Sequence, residues 1–347
     1  MSNKTNVVVV DNGEFEARIG FGGEKKPQFT ISKDITTTKY NKTHKKIPES
    51  NKPKLEEYWT SIQKKLGINP IEYSMLVTET PLQPKQIRQT NAEILFETLH
   101  FKEAFFALQN VLALFATGKS TGVSVNFGYS TTSIVPIYRE RIFPYAIQRL
   151  EIGAFDIEDV FLEQLIKNEH NLSIFSKNNL DVRDLKETQL EFRRSTNINE
   201  NYPNPKNVPV KGAENLEIEF SDQHWKAPEI LFSPRDYGVQ FEGIHKLLVN
   251  SIYKRSPIYS RKSLITNILL FGGTSRIAGL SERLAAEVQF FIPSTVVPQI
   301  TIETDDQQLP FVGGSIVGSY FLKDDSSWIS YSDYSEFGPN ICFEKCF

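Results

Sequence analysis

Two segments of the sequence place carboxylate or amide side chains, followed by glycine, where a strand pattern ends. In the first, the run Val7–Val10 leads into Asp11-Asn12-Gly13, and a second strand pattern follows at Ala17–Phe21. β-Branched residues bounded by a turn signal are typical of a buried strand. Backbone N–H groups at a hairpin tip can bind anionic oxygens, and a strand-end carboxylate can hold metal-bound water. We therefore predict a hairpin whose tip presents a carboxylate.

The same arrangement recurs later in the chain. Gly122–Val125 leads into Asn126-Phe127-Gly128, and Ser133–Tyr138 has the pattern of a second strand. Such an internal repeat predicts two related α/β domains. The alternative is that two unrelated hairpins merely look alike.

Double glycines mark two further positions. Ile268–Phe271 runs into Gly272-Gly273-Thr274, and a helical pattern begins after Gly279; near the C-terminus, Phe311-Val312 meets Gly313-Gly314-Ser315. A double glycine between a strand and a helix lets the backbone approach a ligand or another element closely. Both sites are therefore predicted to be strand-to-helix junctions, and a tight turn without a ligand is the alternative.

Length and composition exclude several classes of protein. A chain of 347 residues suggests about two domains, and its 39% hydrophobic and 23% charged residues are typical of a globular protein. The net charge of −3 is too balanced to indicate nucleic acid as the main partner. No apolar run is long enough to span a membrane, and the N-terminus leads into a strand pattern without a secretory segment.

The histidines and cysteines give no sign of a metal or disulfide framework. The five histidines are scattered, which argues against a zinc site. The two cysteines, Cys342 and Cys346, lie close to the C-terminus and fit a reducing cytosol. Two stretches, Lys39–Lys54 and Asn197–Lys211, are predicted to be loops; the first is basic and is either a solvated loop or a contact for an acidic partner.

These blocks, in this order, resemble the actin family, and the resemblance covers nearly the whole chain outside the two loops. It rests on the following segments: Val9–Gly13, Leu76–Leu82, Phe96–Thr98, Gly122, Val135–Tyr138, Pro144–Ile147, Phe271–Thr274, Gly313–Ile316, Trp328–Ser330, Gly338–Ile341 and Lys345–Phe347.

The resemblance implies an α/β, actin-like ATPase fold, with two duplicated α/β domains, or four subdomains, around a central nucleotide cleft. The implied boundaries are residues 1–31, 53–116 and 310–347 for subdomain 1, 32–52 for a shortened subdomain 2, 117–150 and 241–309 for subdomain 3, and 151–240 for subdomain 4.

The resemblance also implies ATP or ADP with Mg²⁺ as cofactor. Asp11 would hold the metal through water, and Gln109 keeps the position of the family's water-orienting glutamine. The implied cofactor-binding residues are Asp11, Asn12, Gly13, Arg18, Gly128, Arg183, Lys186, Glu187, Gly272, Gly273 and Thr274. For Lys186 and Glu187 the alternative is an ordinary exposed pair on a helix.

Departures from the family pattern concentrate around the phosphates. Glu14 and Phe15 bring a negative charge and bulk to the first tip, and Arg18 replaces the phosphate-binding lysine. In the second hairpin, Asn126-Phe127-Gly128-Tyr129-Ser130 lacks both family acids, and Ser133 replaces a histidine. We therefore expect reduced nucleotide affinity and weak or absent ATP hydrolysis.

At the adenosine end of the implied pocket, Ile277 replaces a tyrosine and Gln307 replaces a lysine. The family pattern is otherwise kept there, so this half of the pocket is better preserved than the phosphate half.

A second departure is a shortening between Ile31 and Leu55, which removes most of the small subdomain carrying the loop that, in the family, contacts the next subunit of a filament toward its barbed end. The apolar groove that receives such a loop is kept. Its implied residues are Phe115, Ala116, Gly118, Val312, Ile316 and Tyr320. Plain core packing is the alternative for part of this set.

The resemblance thus predicts a cytoplasmic, cytoskeletal actin-related protein that does not polymerise alone and caps the pointed end of an actin-like filament. Its expected partners are actin or actin-related subunits in a complex such as dynactin, whose pointed-end actin-related subunit the chain resembles in part; no nucleic-acid or membrane partner is expected. The alternatives are a conventional ATP-binding, polymerising actin with weak ATPase activity, a chaperone or sugar kinase of the same fold, and a chromatin-remodeller subunit.

Overall fold

The computed structural model describes residues 6–33, 52–178, 182–193, 207–209, 216–303, 308–321 and 327–346. The chain divides into two compact units, which we call unit 1 (Met1–Ser120 with Asp306–Phe347) and unit 2 (Thr121–Asp305). The subdomain boundaries stay predictions. Most of the proposed subdomain 2, most of the Lys39–Lys54 loop, and Gln307 lie outside the described residues.

The described residues form fourteen strands. They are β1 Val7–Asn12, β2 Glu16–Phe21, β3 Phe29–Ser32, β4 Ser74–Glu79, β5 Glu103–Leu108, β6 Gly122–Phe127, β7 Thr132–Tyr138, β8 Arg141–Ile142, β9 Gln148–Leu150, β10 Val208–Pro209, β11 Glu217–Ile218, β12 Ile268–Phe271, β13 Ile300–Ile302 and β14 Ile329–Ser330.

The described residues also form thirteen α-helices. They are α1 Lys52–Leu66, α2 Lys85–Glu93, α3 Gln109–Ala116, α4 Ala154–Leu165, α5 Glu169–Asn178, α6 Val182–Gln189, α7 Gln223–Lys226, α8 Ile244–Val249, α9 Arg261–Ile265, α10 Leu280–Gln289, α11 Leu309–Ile316, α12 Tyr331–Phe337 and α13 Cys342–Lys345. π-Helical turns continue three of them, at Ile94–Thr98, Asn250–Arg255 and Val317–Phe321.

Unit 1 is built on a mixed sheet in the order β14-β5-β4-β1-β2-β3. Strand β1 is antiparallel to β2 and parallel to β4. Val8 and Val10 pack into the core that contains Trp59, whereas Val9 packs on the other face with Phe311. Because successive side chains of a strand point to opposite faces, a sheet covered on both sides needs the unbroken valine run seen in the sequence.

Unit 2 repeats this topology, with the order β13-β12-β6-β7-β8 and β9 also paired to β7. Strand β6 is antiparallel to β7 and parallel to β12, as β1 is to β2 and β4. Its core includes Val123, Val125 and Phe127 together with residues of α4, α8 and α10. The predicted repeat is therefore confirmed at the level of strand order and direction.

Two predictions about local structure were wrong. Gly313-Gly314 is not a strand-to-helix junction but lies inside α11, where a Cβ on Gly313 would lie 1.9 Å from the carbonyl oxygen of Leu112 in α3. These glycines let two helices touch. The basic loop ends earlier than predicted, since α1 begins at Lys52. In the second predicted loop, Val208–Pro209 pairs with β11.

Within the described ranges, no helix has the length and apolar character needed to cross a membrane.

Candidate functional site

The first hairpin carries an ion pair across its two strands. Asp11 and Arg18 are directly opposed in the β1–β2 register. The Arg18 guanidinium lies 3.3 Å from Oδ2 of Asp11 and 2.9 Å from Oε2 of Glu16. The predicted phosphate-binding cation is therefore held between two carboxylates of its own hairpin.

Asp11 is buried and receives hydrogen bonds from three different elements. Besides Arg18 of β2, the hydroxyl of Thr78 in β4 donates to Oδ1 over 2.8 Å. The amide Nε2 of Gln109, the first residue of α3, donates to the same oxygen over 2.9 Å. Gln109 is thus bound to Asp11, and both oxygens of Asp11 accept from the protein.

A lysine that the sequence did not indicate completes the hairpin. Lys33, which follows β3, donates to Oδ1 of Asn12 over 2.6 Å, and the Tyr58 hydroxyl donates to the same oxygen over 3.0 Å. The Lys33 ammonium also lies 4.8 Å from the centre of the Tyr58 ring. Burial lowers the pKa of Lys33 to about 8, although the charges of Glu14 and Asp11 oppose this shift. Burial also raises the pKa of Tyr58, with the Asp11 charge adding to the effect.

The tip of the second hairpin is bound to a helix of its own unit. The N–H of Gly128 donates to the carbonyl of Thr131, and the carbonyls of Gly128 and Tyr129 accept from Ala154 and Phe155 at the start of α4. Asn126 and Ser133 are both buried and lie opposite each other in the β6–β7 register. No acidic side chain occupies this hairpin, as the sequence indicated.

The double glycine after β12 has two distinct environments. Gly272 has a φ of +95°, and a Cβ there would lie 2.4 Å from the carbonyl oxygen of Phe127, so glycine is required for packing against β6. Gly273 is open: no described atom lies within 4 Å of its Cβ position. The hydroxyl of Thr274 is buried and has no hydrogen-bond partner among the described residues. A buried polar atom left unpaired costs free energy, which a ligand could recover.

On α6, Lys186 is not the exposed residue that the alternative interpretation expected. It is buried, and its ammonium lies 2.5 Å from Oε1 of Glu158 in α4. Glu187 beside it is exposed, and Arg183 is half-buried. Lys186 therefore ties α6 to α4 within unit 2.

The six predicted groove residues all belong to unit 1 and lie on or just beyond two helices in contact, α3 and α11. Phe115 and Val312 are half-buried and pack against the core that contains Phe311. Tyr320 is 78% exposed, Gly118 is exposed, and Ala116 and Ile316 are half-buried. The structure thus places the set partly in the core and partly at the surface.

Two related α/β units, each with a mixed sheet that contains an antiparallel hairpin (β1–β2 or β6–β7), define the actin-like two-domain fold. Comparison with protein-family models agrees: the model described as Actin matches residues 50–213 and 211–347. The chain belongs to the actin family.

Proposed function

We propose that this protein is an actin-related cytoskeletal subunit that binds an actin-family filament through the groove of unit 1 and hydrolyses ATP weakly or not at all. One observation carries the proposal: the charged side chains of the first hairpin form ion pairs with one another. Arg18 is paired with Asp11 and Glu16, and Gln109 donates to Asp11. Without a positioned acid–base or water-orienting group, catalysis loses about 10²- to 10⁴-fold.

The residues present fit the adenosine half of a nucleotide better than its phosphates and Mg²⁺. Open backbone at Gly273 and the unpaired hydroxyl of Thr274 support binding of an adenosine group in unit 2. The phosphate and Mg²⁺ half does not fit, because Glu14 adds a negative charge beside a hairpin whose Arg18 is already neutralised.

The groove supports the filament-binding part of the proposal. Phe115 and Val312 form a half-buried apolar floor, and Tyr320 projects from the adjoining π-helical turn with 78% of its surface exposed. Aromatic side chains of this kind are frequent anchors of protein–protein interfaces. The chain is shortened between Ile31 and Leu55, where the family carries the loop that fits this groove. A subunit with the groove but without the loop could add to the pointed end of a filament, and no further subunit could then add to it.

Elongation of actin filaments with blocked barbed ends tests this function. We expect the protein to slow pointed-end growth and to form no filament of its own in electron micrographs. Tyr320→Asp should weaken capping by about tenfold or more, the effect of losing an aromatic anchor. Val297→Asp, at an exposed position of unit 2, is the matched control.

Three outcomes would contradict the proposal: unchanged pointed-end growth with the protein in excess, homopolymer in micrographs, or equal effects of the two substitutions. Ile316→Asp tests whether Ile316 belongs to the groove or to the core. If this half-buried residue lines the groove, the variant should stay folded and should no longer cap filaments. Turnover of ATP at the rate of a filament-forming actin would favour the alternative, a conventional polymerising actin.

The bound nucleotide and the partner can be identified together. We expect purification from cells to recover actin or actin-related chains with substoichiometric adenine nucleotide. Recovery of dynactin subunits would name the complex, and recovery of one tightly bound ATP per chain would overturn the degenerate site.

A further inference from the structure

Unit 2 carries a connected set of aromatic side chains at its surface. Tyr138 stacks on Phe143 with ring centres 6.5 Å apart and meets Tyr259 edge-on at 5.4 Å. Phe143 in turn contacts Tyr145 at 6.1 Å. We call these four residues the aromatic ladder. They join the β7–β8 hairpin to the 3₁₀ turn Ile258–Ser260, so the surface is continuous although its members are far apart in sequence.

The ladder is more exposed than packing alone explains. Tyr259 is 68% exposed and Tyr145 is 59% exposed, and the neighbouring Ile258 is 78% exposed. Scattered single apolar residues are normal on a protein surface, but a contiguous exposed patch marks an interaction site. The ring contacts show that this patch is contiguous.

Two basic side chains contact the ladder, and other exposed bases lie close to it in the chain. Arg139 lies over the Tyr138 ring at 5.4 Å, and Arg255 donates to the backbone carbonyl of Tyr145 over 3.2 Å. Glu140 is the only acid in segments 138–145 and 253–262. The exposed bases there are Arg139, Arg141, Lys254, Arg255 and Lys262. A positive rim on a chain of net charge −3 is complementary to an acidic partner.

The hairpin that presents Arg139 is conformationally strained. Arg139 and Glu140 have φ values of 50° and 68°, a left-handed region that favours glycine or asparagine in two-residue hairpins. The N–H of Arg139 donates to the Thr121 hydroxyl over 2.9 Å, which helps to hold the turn. Strain of this kind is concentrated at functional positions. Here it holds a cation over the half-buried ring of Tyr138.

We propose that the aromatic ladder and its basic rim bind an acidic segment of a partner polypeptide, with apolar side chains spaced among its carboxylates. Ile258, which neighbours the ladder and is more exposed than any of its rings, is aliphatic and offers no face on which a base could stack, and the rings already pack against one another. Both features favour a polypeptide over single-stranded RNA. This surface lies in unit 2, and the groove of the proposed function lies in unit 1, so the two proposals fail separately.

Fluorescence anisotropy with defined probes tests the inference. The probe is a fluorescein-labelled peptide with leucine and phenylalanine spaced among glutamates; the comparison probes are the same peptide with glutamine for glutamate, and oligouridine. We expect the full-length protein to bind the acidic peptide about tenfold or more tightly than either comparison probe, and added salt to weaken that binding. No binding of the acidic peptide, equal binding of the glutamine peptide, or tighter binding of oligouridine would overturn the inference.

Matched variants locate the site. Tyr259→Ala and Lys262→Glu should each weaken binding about fivefold or more, because they remove an exposed anchor and reverse a rim charge. The controls are Phe290→Ala, 73% exposed elsewhere in unit 2, and Lys246→Glu, an exposed lysine outside the rim. Equal losses in variants and controls would refute this location. Ile258→Ser provides a second test at an exposed position if Tyr259→Ala does not fold.

Discussion

Arg18 and Asp11 occupy opposed positions of neighbouring strands and form an ion pair of 3.3 Å. In a hairpin built to hold phosphate and metal, such groups would be matched by the ligand. Here Asp11 and Arg18 match each other, Glu16 places a second carboxylate on Arg18, and Thr78 and Gln109 donate hydrogen bonds to Asp11. The two charges are therefore paired without a ligand.

Removing nucleotide and divalent cations should leave the stability of the protein almost unchanged. A ligand stabilises the folded state in proportion to the logarithm of its concentration over its Kd, so a weakly bound nucleotide contributes little. We expect Tm to shift by less than about 2 °C after treatment with a chelator and a nucleotide-hydrolysing enzyme. A fall of about 5 °C or more would show that bound nucleotide holds the fold together.

Glu14→Ser should raise the affinity for ATP. Glu14 places a carboxylate at the tip of the first hairpin, and removing a like charge near phosphate gains about 1 kcal/mol, or roughly fivefold in Kd. Isothermal titration calorimetry measures the change. Glu336→Ser, at an exposed position of α12, is the control. Equal affinities in both variants would place the phosphates elsewhere.

Gly313→Ala should destabilise the fold, whereas Gly273→Ala should not. The first methyl group would enter the backbone of α3, and overpacking of this kind costs about 1–3 kcal/mol or more. The second would point into space that is open among the described atoms. Denaturant unfolding distinguishes the two variants. If Gly273 adjoins nucleotide, its variant should also bind ATP more weakly; unchanged affinity would remove Gly273 from the site.

The two cysteines should resist thiol reagents in the folded protein. Burial raises the pKa of Cys342 to about 12 and that of Cys346 to about 11, so neither forms a thiolate at neutral pH. Arg88 holds this C-terminal segment by donating to the carbonyls of both cysteines while its guanidinium pairs with Glu79.

Arg88→Met should free the segment and speed labelling of the thiols by about tenfold or more, the rate gain when local opening becomes about 1.4 kcal/mol easier. Arg276→Met, in the other unit, is the control. Fast labelling of the unmodified protein would contradict the buried placement of the thiols.

Asp333→Asn should lower stability at neutral pH but not at pH 2. Hydrogen bonds from Lys345, and then from Ser330, lower the pKa of Asp333 from 3.8 to about 2. Because the folded pKa lies below the unfolded one, this stabilisation is present above about pH 4 and is lost as the pH falls through about 2. Since Asp333 is partly exposed, we expect about 1 kcal/mol, typical of a helix cap. A difference between variant and parent that persists unchanged at pH 2 would exclude this origin.

The sequence predicted the two hairpins and their shared topology because a valine run that ends in Asp-Asn-Gly carries a local signal. It did not predict the helical setting of Gly313 and Gly314. A double glycine looks the same whether it turns a chain or lets helices touch, and only the position of Leu112 decides between them.

At the hairpin site, sequence reasoning found Asp11, Arg18 and Gln109 but not Lys33 or Tyr58. These two reach Asn12 from 21 and 46 residues away in the chain, and no motif connects them. Glu158 was missed for the same reason, since its pairing with Lys186 depends on how α4 and α6 pack. Thr78 was also missed as a site residue, although a hydroxyl within a buried strand is a signal that could have indicated it.

Because both native thiols are buried, the folded chain should react little with thiol-specific labels. With Cys342 and Cys346 shielded, a single cysteine introduced at an exposed position would be the one reactive thiol. A fluorophore attached beside the groove would report occupancy of the groove, and one attached beside the aromatic ladder would report occupancy of the ladder. Two single-cysteine variants would therefore give two independent sensors, and neither native cysteine would need to be replaced.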